Sequence, residues 1–240
     1  MKIPREWIEL RGQLAAGIVL DSYAAVYIPI PKVACTSLKT AVSSILEMEG
    51  DVHFEKLFRE VANHEIRATC SDHYIFTFVR NPWDRLLSCY LSKIDPREED
   101  CDYWHNGVEF NFWKYGDTFD GGMSFEAFVR ATAQIPDEEA DIHFSSQYRH
   151  ITAAHGSLIP DFIGRFESLA DDFSRVLARL DLTKMSLPHQ MKTEHQHYSA
   201  YYTDETRALV RGRYATDIEL FGYTFQNRSD DPVKLPVPRA

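Results

Sequence analysis

The chain has 240 residues, 44% hydrophobic and 26% charged, with a net charge of −10. That is long enough for one α/β domain with a full core, and the composition is that of an ordinary globular protein rather than a disordered or fibrous one. The acidic balance argues against nucleic acid or a heparin-like polyanion as partner, since either calls for a basic groove. No run approaches transmembrane length, and residues 14–20 are too short and carry Gly17. The four cysteines, Cys35, Cys70, Cys89 and Cys101, show no metal-ligand spacing, so no metal site is expected and reduced thiols are.

In chain order, a short segment (1–20) precedes a first strand over about 23–30, which Pro31 stops. A helix is expected from Thr36 to Glu49, and a second over 54–69, with Phe54, Leu57, Phe58, Val61 and Ala62 on one face. Tyr74–Val79 reads as a buried central strand, apolar except for Thr77, and Pro82 opens a helix to about residue 92. Residues 95–122 are irregular and rich in aromatic and acidic residues. Ser124 is a suitable N-cap for a helix over Phe125–Ala133. A short strand at Phe162–Phe166, a helix over Asp171–Leu180 and a long helix from Tyr202 to Phe221 complete the pattern. A proline-containing tail (226–240) reads as a flexible arm. Strands alternating with helices indicate an α/β fold, with a central parallel sheet flanked by helices in three layers.

Two stretches carry the chemistry. In Pro31-Lys-Val-Ala-Cys-Thr-Ser37 a strand ends and a helix begins around small residues. Backbone N–H groups and the helix dipole bind anions in that geometry, and Lys32 adds a charge at its mouth. The string is not a Walker A loop, which needs two glycines ahead of its lysine. The plain alternative is that Thr36 and Ser37 only cap the helix. The second stretch repeats the design. Arg80 sits at the C-terminal end of a strand, where open α/β sheets place ligands, and Ser88 follows two turns into the next helix. An arginine fork and a hydroxyl suit a second phosphate, and the plain alternative is an Arg80–Asp84 pair.

Pro31–Ser37 and Phe78-Val-Arg-Asn-Pro-Trp-Asp-Arg-Leu-Leu-Ser88 resemble the cofactor signatures of sulfotransferases that use 3′-phosphoadenosine 5′-phosphosulfate (PAPS), in wording closest to the carbohydrate (chondroitin, dermatan and HNK-1) branch. Asp161-Phe-Ile-Gly-Arg-Phe-Glu167 and the stretch from Tyr201 to Phe225 are similar to later parts of that branch. The resemblance implies a P-loop-like fold over residues 1–225 as one domain, with about 95–140 a variable acceptor-side insertion. It implies that Pro31, Lys32, Val33, Ala34, Cys35, Thr36 and Ser37 hold the 5′-phosphosulfate, with Lys32 at the bridging oxygen, and that Arg80 and Ser88 hold the 3′-phosphate. The Golgi relatives carry a membrane anchor and luminal disulfides; this chain reads instead as a soluble, bacterial-type cytoplasmic member.

A base must take the proton of the acceptor hydroxyl, and histidine suits that task near neutral pH. His64, in Asn63-His-Glu, lies where related enzymes often carry such a histidine. His143, in His143-Phe-Ser-Ser-Gln147, resembles a His-Trp-x-Pro-Gln element of the branch but lacks the Trp and Pro, and is the second choice. His53, His73, His105, His150, His155, His189, His195 and His197 read as surface or structural residues. Arg165 either faces the nucleotide or pairs with Glu167 or a core helix. The aromatic stretch Tyr103–Trp113 either stacks on sugar rings or forms a cluster under a loop. The acidic runs 95–102 and 137–141 are solvated surface or contacts to a neutral or cationic acceptor. The leading function is sulfuryl transfer to a hydroxyl of a carbohydrate, glycolipid or similar small acceptor, with no metal. The alternatives are a non-catalytic nucleotide-binding scaffold of the same fold and an ATP-using kinase.

Overall fold

The computed structural model describes residues 16–52, 57–153, 156–183, 185 and 196–226. The N-terminal segment to residue 15, the start of the helix expected from Phe54, the arm from residue 227, and His53, His155, His189 and His195 lie outside the described residues. Seven strands occur among the described residues: β1 (Gly17–Leu20), β2 (Ala25–Ile28), β3 (Glu60–Val61), β4 (Tyr74–Val79), β5 (Trp104–His105), β6 (Val108–Glu109) and β7 (Phe162–Arg165). The chain divides into two compact units, a sheet unit drawn from 15–80 and 147–195 and a helical unit drawn from 81–146 and 196–226. Among the described residues no helix is long and apolar enough to cross a membrane.

The sheet unit is built on five strands in the order β3-β1-β2-β4-β7. β2, β4 and β7 are parallel, with Ile28 opposite Thr77 and Val79 opposite Arg165. The parallel strands expected from the alternating pattern therefore run from the middle of the sheet to its β7 edge. β1, however, runs antiparallel to both β2 and β3, so the sheet is mixed. The reason is the connection: only Asp21–Ala24 join β1 to β2, closed by Ala24 in the left-handed region at φ 44°, and a parallel crossover needs a dozen or more residues. Gly17, read as an interruption, lies within β1; a Cβ there would meet Ile66 Cδ1 at 2.7 Å and Val26 Cγ1 at 2.8 Å. The helix expected over 54–69 is also corrected. Its described part is the β3 strand, a 3-10 turn at Asn63–Glu65 and one short helix, Ile66–Thr69. Pairing of Val61 with Gly17 overrides the helical periodicity.

Two longer sheet-unit helices, Cys35–Ile45 and Leu169–Arg179, each follow a strand end, and a short one, Tyr148–Ile151, precedes β7. Ile18, Leu20, Tyr27, Phe76, Phe78 and Phe173 fill the core of this unit. Gly164 is there for close approach: a Cβ on it would lie 2.5 Å from the Phe78 ring.

In the helical unit, Pro82–Lys93 starts as expected, with Pro82 in its first turn and the Asn81 side chain accepting from Trp83 N–H at 3.1 Å. Ser124 caps Phe125–Gln134, accepting from Ala127 N–H. Residues 95–122 are more ordered than the sequence suggested, holding the β5–β6 hairpin and a 3-10 segment over Phe110–Thr118. The expected long helix from Tyr202 is two helices, Asp204–Arg213 and Ala215–Phe221, parted at Tyr214. Tyr214 is buried and its hydroxyl donates to Phe144 C=O at 2.6 Å, a long-range bond that no helical pattern reports. Phe112, Phe119, Phe125, Phe128 and Phe144 make an aromatic core. Within the stretch read as a sugar platform or a buried cluster, Phe112 belongs to that core, while Tyr103 and Trp113 are exposed.

Candidate functional site

The loop between β2 and the Cys35–Ile45 helix is wound through two left-handed residues, Lys32 at φ 68° and Ala34 at φ 51°. Neither is glycine, and such conformations cost of order 1 kcal/mol or more each, so the surrounding structure must impose them. Alternating right- and left-handed backbone turns successive N–H groups toward a common point, which is how anion-binding nests form. Ala34 is the N-cap and makes no side-chain capping bond, while Leu38 N–H closes the first intrahelical bond onto Ala34 C=O at 3.0 Å. Thr36 and Ser37 thus lie inside the first turn rather than at the cap position, so the capping alternative does not describe them. The first-turn N–H groups of Cys35, Thr36 and Ser37 lie at the positive end of an eleven-residue helix. Pro31 and Val33 are buried supports, and Lys32 and Cys35 are half-exposed.

What fixes the root of this loop is Thr77, the one polar residue of β4. It is fully buried, and its hydroxyl donates to Ile28 C=O at 2.7 Å, at the last residue of β2. Arg80 follows directly after β4 and is 7% exposed. Its Nη1 donates to Lys32 C=O at 3.0 Å, and its guanidinium carbon lies 4.0 Å from the center of the Phe166 ring. The loop of the first motif and the arginine of the second therefore meet in one unit, with Arg80 bracing the strained loop. Arg165, opposite Val79 in the ladder, is buried, and its N–H donates to Asp172 Oδ2 at 2.8 Å. That bond is made by the Arg165 backbone, so it selects none of the readings offered for the side chain.

The chain matches the sulfotransferase family model over residues 17–224. It belongs to the sulfotransferase family. It is similar to carbohydrate sulfotransferase 12 of Xenopus laevis, 26% identical over 86% of this chain and 59% of that protein. Carbohydrate sulfotransferase 14 of Homo sapiens is 26% identical over 88% of this chain and 60% of its own, and human carbohydrate sulfotransferase 10 is 26% identical over 85% and 66%. The chain spans about three-fifths of the length of the first two. No solved structure gives a significant match.

The two candidate histidines of this family member, His64 and His143, differ sharply in setting. His64 is exposed in the sheet unit, with its Nε2 3.9 Å from Glu65 Oε1. Its neighbor Asn63 is buried and donates to His150 C=O at 2.6 Å, which ties the His64 turn to the start of the 147–195 stretch.

His143 belongs to the helical unit. Its Nδ1 lies 2.6 Å from Asp141 Oδ1, which also accepts the His143 backbone N–H at 3.0 Å. Burial works to raise the Asp141 carboxyl, but the His143 hydrogen bond and charge outweigh it and hold it below the usual carboxylate range. The loop carrying His143 is pinned from several elements of its own unit. Buried Arg85 donates to Ser145 C=O at 2.7 Å and Ile142 C=O at 3.0 Å, Tyr214 donates to Phe144 C=O, and Asp137 accepts Ser146 N–H at 3.0 Å. Ser88, half-buried on the Pro82–Lys93 helix, belongs to the helical unit as well.

Thr77, Phe166 and Asp141 escaped the sequence reading as site supports. Only Thr77 carried a signal, as the lone aliphatic hydroxyl in an apolar strand.

Proposed function

We propose that this chain transfers the sulfuryl group of PAPS to a hydroxyl of a carbohydrate, glycolipid or similar small acceptor. The observation that carries the reading is the Arg80–Lys32 hydrogen bond, which joins a strand-end arginine to an anion nest at a helix N-terminus. The residues fit a bisphosphorylated nucleotide. Pro31–Ser37, through the N–H groups of the first helical turn and the Thr36 and Ser37 hydroxyls, would hold the 5′-phosphosulfate, and Arg80 the 3′-phosphate. The resemblance adds Ser88, from the helical unit, to the residues proposed for that phosphate. PAPS supplies the activated sulfuryl group. As in phosphoryl transfer, the chain's part is to position the group and stabilize its charge, and here Lys32, Arg80 and the helix dipole are proposed to supply the positive charge that a metal supplies there.

Lys32, on the loop itself, is the residue proposed to stabilize negative charge that develops on the bridging oxygen. The proposed base is His64, which shares the unit of the loop and Arg80 and is open to solvent. His143, oriented by Asp141, is the second candidate. The related carbohydrate sulfotransferases support a carbohydrate acceptor. Buried, unbridged Cys70 and Cys89 support a reducing, cytoplasmic setting.

A thermal-shift titration tests this reading. The 3′,5′-bisphosphate of adenosine should stabilize the protein more than ATP or ADP does. Stabilization by ATP alone would favor a kinase and overturn the reading.

A further inference from the structure

We propose that Gln147 is a positioning residue for Arg80, holding the strand-end peptide from which the arginine addresses the 3′-phosphate. The proposal rests on the nucleotide reading above and extends it to a residue 67 positions away in sequence.

The ladder of β4 ends at Val79, and Arg80 lies one residue beyond it. There the Gln147 side chain takes over. Its Oε1 accepts Arg80 N–H at 2.9 Å and its Nε2 donates to Arg80 C=O at 2.9 Å. A carboxamide carries a donor and an acceptor side by side, as a peptide does, so one glutamine pairs with Arg80 as a further strand residue would. Both bonds act on the same residue and fix its φ and ψ, hence the direction of its Cα–Cβ bond. Gln147 is fully buried, so water does not compete with either bond. It is itself anchored: Gln147 C=O accepts His150 N–H at 3.0 Å, and His150 C=O accepts from Asn63.

With its backbone fixed, Arg80 is held against Phe166 and Lys32 C=O, so a shift at Gln147 displaces the guanidinium, while the loop keeps its own N–H groups on the helix N-terminus. The amide is specifically required. A glutamate lacks the donor for Arg80 C=O and would place a competing anion near the guanidinium.

The experiment compares binding of adenosine 3′,5′-bisphosphate and of 5′-AMP, which lacks the 3′-phosphate, to the full chain by calorimetry. Wild type should prefer the bisphosphate. Gln147→Met should cut that preference by about tenfold, the order of one charge-assisted bond, while leaving 5′-AMP affinity unchanged. Adding Gln147→Met to Arg80→Ala should cost no further preference, because the glutamine acts through the arginine. Equal losses for both ligands, or a lowered melting temperature with the preference intact, would show a merely structural role and overturn the proposal. If the methionine variant does not fold, Gln147→Glu serves: a reduced preference supports the proposal and a wild-type preference refutes it. A wild type that binds both ligands equally removes the 3′-phosphate reading itself, and this inference falls with it.

Discussion

Replacing Gly164 by alanine tests how tightly the sheet sets the proposed nucleotide site. The added Cβ would lie 2.5 Å from both Cδ1 and Cε1 of Phe78 and 3.1 Å from Asp172 Cβ. Carbon contacts under 3.0 Å do not persist, so the ring must move. It has little room: Phe78 is 1% exposed and meets Phe76, Phe162 and Phe173 at centroid distances of 6.3, 6.4 and 6.3 Å. Overpacking of this kind costs about 1–3 kcal/mol. At roughly 2–4 °C per kcal/mol for a chain of this size, the melting temperature should fall by roughly 2–12 °C. Phe78 lies two residues before Arg80, and Asp172 holds the Arg165 N–H, so affinity for the bisphosphate should fall too. Circular dichroism melts and a bisphosphate titration read both effects. In a Phe78→Leu background the same substitution should cost less, since the smaller side chain gives way. An unchanged melting temperature together with unchanged affinity would refute the packing argument.

Thr77→Val keeps the shape of the side chain but deletes the bond to Ile28 C=O at the root of the loop; it should cost about 1 kcal/mol in urea denaturation and weaken bisphosphate binding, and unaltered binding would count against Thr77 as a loop support. Tyr214→Phe leaves the Phe144 carbonyl without this buried donor and should destabilize by about 1–3 kcal/mol, measured by thermal melting. Asp141→Asn gives a pH test. The folded Asp141 carboxyl is held below its ordinary value, so its stabilization is present above the unfolded pKa of about 3.9 and is lost as pH falls through the lower folded value. The stability gap between wild type and Asp141→Asn should therefore be open at pH 5–7 and close below about pH 4. A gap that persisted at pH 2 would contradict the charge-assisted Asp141–His143 bond.

The loop proposed to hold the nucleotide was legible because local chemistry determines it. Pro31 stops a strand, small residues admit tight backbone, and a helical pattern follows. Arg80 was legible for a related reason, standing where a run of buried strand residues meets Asn81-Pro82. What escaped depends on partners distant in sequence. Val61 sits in a helix-like pattern yet pairs with Gly17, and Tyr214 interrupts a helical pattern to reach Phe144. The antiparallel β1 was hidden because its pairing with β2 and β3 carries no mark in residues 17–20, where Gly17 makes a close contact. Gln147 carries no local mark of its bonds to Arg80. The left-handed Lys32 and Ala34 likewise show nothing in their side chains that foretells their backbone.

The central claim is that the Lys32 loop serves sulfuryl transfer, and turnover of labeled PAPS against a panel of carbohydrate acceptors tests it most directly. Wild type should label at least one acceptor, and Lys32→Ala should lower that rate by about a hundredfold or more while the protein still binds the bisphosphate, the order expected when one transition-state charge partner is removed. Transfer at the wild-type rate by Lys32→Ala, or no transfer by a wild type that binds the bisphosphate, would contradict the account.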